Sequence, residues 1–317
     1  RLYVMNTAGG IAGSLAAGFY LAPTVGMWNM LIGASLVSAA LGAALWLIGA
    51  AGEKWSAKAG FAAATVALAA GLAWGTPVWD VAVFNQGYYR EVYTRGAIDL
   101  GRARIQKLVY FREGINSAVA VYNVGGDASL RVTGKADAST IPTDLYTQLF
   151  VGHLPVLFAD DPKRVAVIGF GSGTSAMSIL THSNVESLDV IEIERAVINA
   201  APFFETINHN PLADPHARLV LEDGRVHITY TDKTYDVITS EPSNPWMAGV
   251  SNLFTVDFYR RVRARLTPNG IFGQWIQIYE ISPDTIKTIL ASIHEVFPHL
   301  MVFQSGPGDI VVLASGQ

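Results

Sequence analysis

Three runs with almost no charge open this chain, and no other feature limits its fold so strongly. Residues from about Tyr3 to Ala22 are apolar apart from Asn6, Thr7 and Ser14. A second run, from about Trp28 to Ala51, carries no charge, and a third extends from about Ala59 to Trp74. Such lengths approach or meet the ~20 residues needed to cross a ~30 Å hydrocarbon core. A secretory signal has one short apolar core before a cleavage site, so three consecutive runs exclude that reading. The expectation is three transmembrane helices within residues 1–75. Of the 22 Lys and Arg and 26 Asp and Glu, only Arg1, Glu53, Lys54 and Lys58 fall among the first 79 residues. The chain is a nearly uncharged block joined to an ordinary globular one, which excludes a disordered or collagen-like protein. A net charge of -4 with no basic stripe argues against nucleic-acid binding, and the lack of cysteine removes disulfides and thiolate zinc sites.

Small residues recur at spacings of four in the first run, as Gly9, Gly13 and Ala17 and as Gly10, Ser14 and Gly18. Such strips let helix backbones approach closely in lipid, so this helix is expected to pack against another, in this chain or in a second copy. Because the sequence starts with Arg, it is expected to be a trimmed piece of a longer polytopic protein. Three spans put Arg1, Lys54 and Lys58 on one side, which alone would place the globular part outside the cytoplasm. Arg90, Arg95, Arg102, Arg104 and Lys107 outvote them from the other side.

Residues 76–106 read as a connector whose aromatics (Trp79, Phe84, Tyr88, Tyr89 and Tyr93) suit a membrane surface. Alternating segments at Lys107 to Phe111 and Ala118 to Tyr122, with Gly125-Gly126-Asp127 as a hairpin turn, predict a small β-subdomain within residues 107–142, its strands ending near Gly134. A helix follows over about 143–157. From there to residue 317 strands and helices alternate, with strands at 164–169, 188–193, 217–221, 235–240 and 270–278 and a helix over 255–266. This pattern implies a parallel, doubly wound sheet with ligands at the carboxyl ends of its strands. Gly169-Phe-Gly-Ser-Gly173, Glu192, Asp223-Gly224 and Glu241-Pro-Ser-Asn-Pro245 all sit at such ends.

Glycines at 169, 171 and 173 permit a tight strand-to-helix turn that lets backbone approach a ligand. Glu192 lies 19 residues beyond Gly173, where an acid reaches ribose hydroxyls, and Asp223 is placed to accept from an adenine amino group. Thr174 makes the spacing G-x-G-x-G, which favours a sulfonium nucleoside over a nicotinamide dinucleotide. No histidine has metal-ligand spacing. His153 reads as structural, and Glu186, Glu194, Glu205 and the Arg260–Arg265 series read as solvated helix faces and ion pairs.

Gly152-His-Leu-Pro, Val165 to Gly173, Val190-Ile-Glu-Ile-Glu194, Asp223-Gly224 and Tyr235 to Pro245, in this order, resemble the spermidine synthase family of aminopropyltransferases. Ser240-Glu-Pro-Ser-Asn-Pro-Trp-Met-Ala-Gly249 resembles its membrane-fused branch. The resemblance covers about residues 107–315. It implies a small N-terminal β-domain, a Rossmann-like core of the class I methyltransferase type, and methylthioadenosine released from S-adenosylmethionine or its decarboxylated form, with no metal. It assigns Glu192 to ribose, Asp223 to adenine and Gln148 to the cleft wall. Glu241 falls on the catalytic acid that takes a proton from the attacking amine. Gly169, Gly171, Ser172, Gly173 and Gly224 complete the nucleoside side, with Ser243, Asn244 and Trp246 on the substrate side. The family's tyrosine falls on Thr147, and Tyr146 beside it is the second candidate catalytic residue.

Two family carboxylates are missing, replaced by Ser172 and Asn244. Both would face the aminopropyl ammonium, so their loss favours intact S-adenosylmethionine, whose α-carboxylate an acid would repel. Three classes of function follow. The first is a membrane-anchored alkyl-transfer enzyme acting on a small-molecule amine or cleaving S-adenosylmethionine intramolecularly. The second is a methyltransferase, for which Val167-Ile168 before Gly169 lacks the usual acid. The third is a non-catalytic nucleoside sensor controlling the helices, which an intact Glu241 opposes. The expected location is a cell inner membrane, multi-pass, with the catalytic domain facing the cytoplasm that supplies the nucleoside.

Overall fold

The structure, a computed structural model, describes residues 1–49, 52, 54–85, 87, 106–247 and 249–317. It divides into two compact units, Arg1–Phe84 with Arg112–Ile115, and Asn85–Phe111 with Asn116–Gln317.

In the first unit, α1 (Leu2–Ala16) runs on through a widened turn at Ala17–Leu21 and a final helical turn at Ala22–Val25. Pro23 has no N–H for the carbonyl four residues back and crowds it. The widened turn, in which the Ala22 N–H reaches Ala17 O, sits just before that proline. Gly26, at φ +85°, breaks the helix, and α2 (Met27–Gly49) and α3 (Trp55–Gly75) follow. The three apolar spans have 23, 23 and 21 residues. At 1.5 Å per residue each is at least ~30 Å long, enough to cross a membrane. Trp46 packs on Phe61 with ring centroids 5.0 Å apart, and Ala43 and Ala62 are buried. Most large apolar side chains point outward, among them Met5, Leu45 and Leu72 at 71%, 69% and 62% exposure. A Cβ added at Gly9, Gly10, Gly13 or Gly18 would meet nothing within 4 Å, so nothing in the described chain covers the small-residue strip. In the connector, Trp79 lies edge-on to Trp28; Tyr88, Tyr89, Tyr93, Arg90, Arg95, Arg102 and Arg104 lie outside the described residues.

The second unit holds two sheets, save for Arg112 and Glu113 at the end of the first strand, which are counted with the first unit. The smaller has the order β1-β2-β3-β4, from β1 (Lys107–Glu113), β2 (Ala118–Val124), β3 (Asp127–Val132) and β4 (Lys135–Ser139). Gly125 and Gly126 form the two-residue β2–β3 turn, both at positive φ, as the glycine pair predicts. The expected end of the strands near Gly134 is corrected. Thr133 and Gly134, at φ +50° and +80°, form a second two-residue turn that pairs Val132 with Lys135 and starts β4. The chain continues into α4 (Pro142–Phe158).

The larger sheet has the order β10-β11-β9-β8-β5-β6-β7. Its strands are β5 (Arg164–Ile168), β6 (Ser187–Glu192), β7 (Ala217–Leu221), β8 (Tyr235–Ser240), β9 (Leu266–Gln277), β10 (His299–Gly306) and β11 (Asp309–Ser315). The pairs from β7 to β9 are parallel. The reading of a wholly parallel sheet missed β11 and β10, which close the edge antiparallel. A hairpin needs only a short connection, whereas a parallel strand needs a crossover helix. The helices are α5 (Thr174–Leu180), α6 (Arg195–Ala200), α7 (Gly224–Tyr230), α8 (Val256–Arg265) and α9 (Pro283–His294). β5 is apolar from Val165 to Ile168 because both its faces are covered: Val165 and Val167 join one core cluster, Ala166 and Ile168 the other. Strand order reverses between β5 and β8, so their carboxyl ends border a crevice at the switch point.

Candidate active site

The glycine turn leaves β5 at this crevice. Gly169, Gly171 and Gly173 have φ of +96°, +54° and +85°, a region that other residues rarely enter. A Cβ on Gly169 would lie 2.6 Å from Glu241 O, so this glycine also lets the loops after β5 and β8 touch. Glu192, at the end of β6, holds the turn: its carboxylate accepts from the N–H groups of Phe170 at 3.0 Å and Glu194 at 2.8 Å. Burial pushes its pKa to about 6, against the pull of those N–H groups. Asp223 caps α7 by accepting from Val226 N at 2.8 Å, and its side chain is otherwise exposed. Gly224 packs so tightly that a Cβ would lie 2.4 Å from Ile168 Cγ2.

Glu241 stands opposite, after β8. Its Oε2 accepts from Ser175 Oγ at 2.7 Å, and the sheet holds its backbone through Ile168 O. Burial pushes the carboxyl up to about 8, with nearby Asp144 and Asp137 adding to the rise and Ser175 opposing it. Ser175, on the first turn of α5, also contacts Gln148 O at 2.9 Å. Gln148 is buried on α4; its Nε2 donates to Ser139 O and Asp144, and its Oε1 accepts from Ser172 Oγ at 2.5 Å. Ser172 also meets Thr174, and Asn208 donates to its carbonyl. Glu241, Gln148, Ser172 and the glycine turn therefore meet in one network.

Ser243 donates to Asp137 Oδ1 at 2.8 Å. Asn244 is fully buried, yet neither side-chain atom has a hydrogen-bond partner among the described residues. Trp246 is 41% exposed at the rim. Tyr146 is 59% exposed, outside the Glu241 network, while Thr147 beside it is buried, its hydroxyl without a partner among the described residues.

Several residues of this cleft escaped the sequence. Lys135 is fully buried and binds Asp137 Oδ1 at 2.5 Å. Burial raises the pKa of Asp144 and of Asp309, and Trp275 Nε1 donates to Asp309 at 3.0 Å. The Lys-x-Asp alternation on β4 and the Asp144/Gln148 spacing on α4 were the available signals. Glu194, expected on a solvated face, is buried; it caps α6 and takes the N–H groups of Asn116 and Ser117. His153 pairs with His182 at 2.9 Å. Among the described residues no group of three or more His, Asp or Glu is placed to hold a metal ion.

The profile of the spermine/spermidine synthase domain matches residues 144–305. The polyamine aminopropyltransferase of Caldicellulosiruptor bescii is 28% identical over 201 residues, 63% of this chain and 72% of the relative. A crystal structure of spermidine synthase with the transition-state analogue AdoDATO aligns with a TM-score of 0.61 at 22% identity, covering 67% of this chain and 74% of that one. The Thermotoga maritima spermidine synthase aligns with a TM-score of 0.60 at 22% identity, over 67% and 73%. These structures share the fold.

Proposed function

The chain belongs to the spermine/spermidine synthase family, and from that premise we propose that it is a membrane-anchored transferase moving an aminopropyl-type group from a sulfonium nucleoside to an amine. The observation that carries the reading is Glu241, a part-buried carboxyl at the strand-order reversal, facing the glycine turn. The amine nitrogen attacks the methylene carbon beside the sulfonium. A C–N bond forms, the C–S bond breaks with its electron pair going to sulfur, and methylthioadenosine leaves as a neutral thioether. The proton lost from the attacking nitrogen goes to Glu241. A carboxyl whose pKa lies near neutrality suits that transfer.

The glycine turn, Glu192 and Asp223 would hold the adenosine, and the unpartnered Asn244 amide fits a ligand that supplies hydrogen bonds. Ser172 is engaged by Gln148 and Thr174, so neither position where the family carries an acid opposes an α-carboxylate. Intact S-adenosylmethionine is thus the second candidate donor. The outward apolar faces of α1, α2 and α3 support the membrane anchor, since lipid is the environment that lowers their free energy.

The test is to incubate detergent-purified full chain with decarboxylated or intact S-adenosylmethionine, with and without amines, and identify the nucleoside product by mass spectrometry. Methylthioadenosine formed only when an amine is present is expected. S-adenosylhomocysteine would mean a methyltransferase. Methylthioadenosine without any amine would mean cleavage, and no product with ligand bound would mean a sensor.

A further inference from the structure

Beside Glu241, two carboxylates and an aromatic ring meet the buried ammonium of Lys135. Asp137, Asp309 and the Trp275 ring form a small box: Asp309 is fixed by the indole N–H, and Asp137 by Ser243. Two carboxylates and an aromatic face are the usual means of holding an alkylammonium away from water. Lys135 Nζ lies 5.7 Å from the Trp275 ring centroid and 2.5 Å from Asp137 Oδ1, with no solvent exposure. It also lies close enough to Asp144 and Asp309 to favour their charged forms. The lysine is delivered by the β3–β4 turn, in which β-branched Thr133 is held at φ +50°. Gln277 shares a strand face with Trp275 and pairs with Asp309 across β9 and β11. It is fully buried, and both its side-chain polar atoms lack partners among the described residues.

We propose that Lys135 determines acceptor specificity: its ammonium takes the place of the distal ammonium of a diamine, so the site uses a monoamine whose single nitrogen is held at Glu241. This rests on the transfer reading above. A diamine lying along the cleft would bring a second ammonium against Lys135 in a dry site, where like charges repel strongly. A monoamine extends an alkyl tail towards the box and meets no such repulsion.

The test measures kcat/KM of the full chain for n-butylamine and for putrescine with decarboxylated S-adenosylmethionine. We expect the wild type to favour n-butylamine by about tenfold or more, the factor given by ~1.4 kcal/mol of repulsion. Lys135→Met should reverse the preference, and putrescine should raise the Tm of that variant and not of the wild type. A wild type favouring putrescine, or an unchanged ratio in the variant, would overturn the proposal and leave the transfer reading standing. The wild-type ratio decides the matter even where the variant fails to fold. No methylthioadenosine with any amine would bring down the transfer reading, and this proposal with it.

Discussion

The two units depart from the usual arrangement of a folded protein in opposite directions. The helical unit turns large apolar side chains outward, and the α/β unit keeps Lys135, Asn244 and Gln277 inside, with Glu241 part-buried. Each departure has a cost in water, of exposed apolar area in one case and of desolvated polar groups in the other. A departure persists where a partner removes that cost. For the helices the proposed partner is lipid; in the cleft Asp137 offsets the charge of Lys135, and the proposed partner of the other groups is a ligand carrying charge and hydrogen-bonding groups.

The cleft half of this comparison is broken most directly at Glu241. Glu241→Gln keeps the shape and removes the proton acceptor, so methylthioadenosine formation should fall by about 10²–10⁴-fold. Nucleoside affinity, read by calorimetry, should change far less. Equal losses in both would show that Glu241 only holds the ligand.

The helical half is tested at Val37, 59% exposed at the middle of α2. Val37→Lys should reduce the share of protein in the membrane fraction, because a lysine near the centre of a span costs about 2.5–3.5 kcal/mol on insertion scales. An unchanged distribution would mean that this face meets water.

Asn244→Leu sharpens the contrast. Removing a buried, unpartnered amide should stabilise the ligand-free protein by about 1–3 kcal/mol while weakening nucleoside binding. Thermal melts with and without ligand would read both changes, and a lower Tm would show that the amide has a partner in the fold.

The smallest effect is the pH dependence of the Glu241 carboxyl. Its folded pKa, about 8, lies above the ordinary value of 4.5. The folded state therefore holds this proton more tightly than the unfolded one. Its contribution to stability is full below pH 4.5 and is lost as pH rises to about 8. The Tm of the ligand-free protein should fall over that window, and the fall should be shallower in Glu241→Gln. Affinity for a sulfonium nucleoside should rise over the same window, since the anion attracts the cation.

Much of the molecule was legible in the sequence. The spans showed through length and absence of charge, β5 and β8 through short apolar runs, and the switch-point loops through glycine spacing and the Glu241-Pro-Ser-Asn-Pro245 signature. The edge hairpin of β10 and β11 was missed although Gly306-Pro307-Gly308 between two apolar runs is a turn signal; nothing local shows which strand such a hairpin pairs with. Tyr146 and Thr147 show the same limit: adjacent residues on one helix, of which the packing of α4 buries only Thr147.

The sequence alone determined which segments are apolar enough for lipid, which strands are buried on both faces, and where the backbone must turn on glycine. These properties depend on residues within a few positions of one another. Only the tertiary structure decided that Lys135 and Asp137 of β4, Asp144 of α4, Trp275 of β9 and Asp309 of β11 share one cleft, and that burial lifts Glu241 to a pKa of about 8. Charge proximity and desolvation are set by strands that lie far apart along the chain, and no local pattern records them.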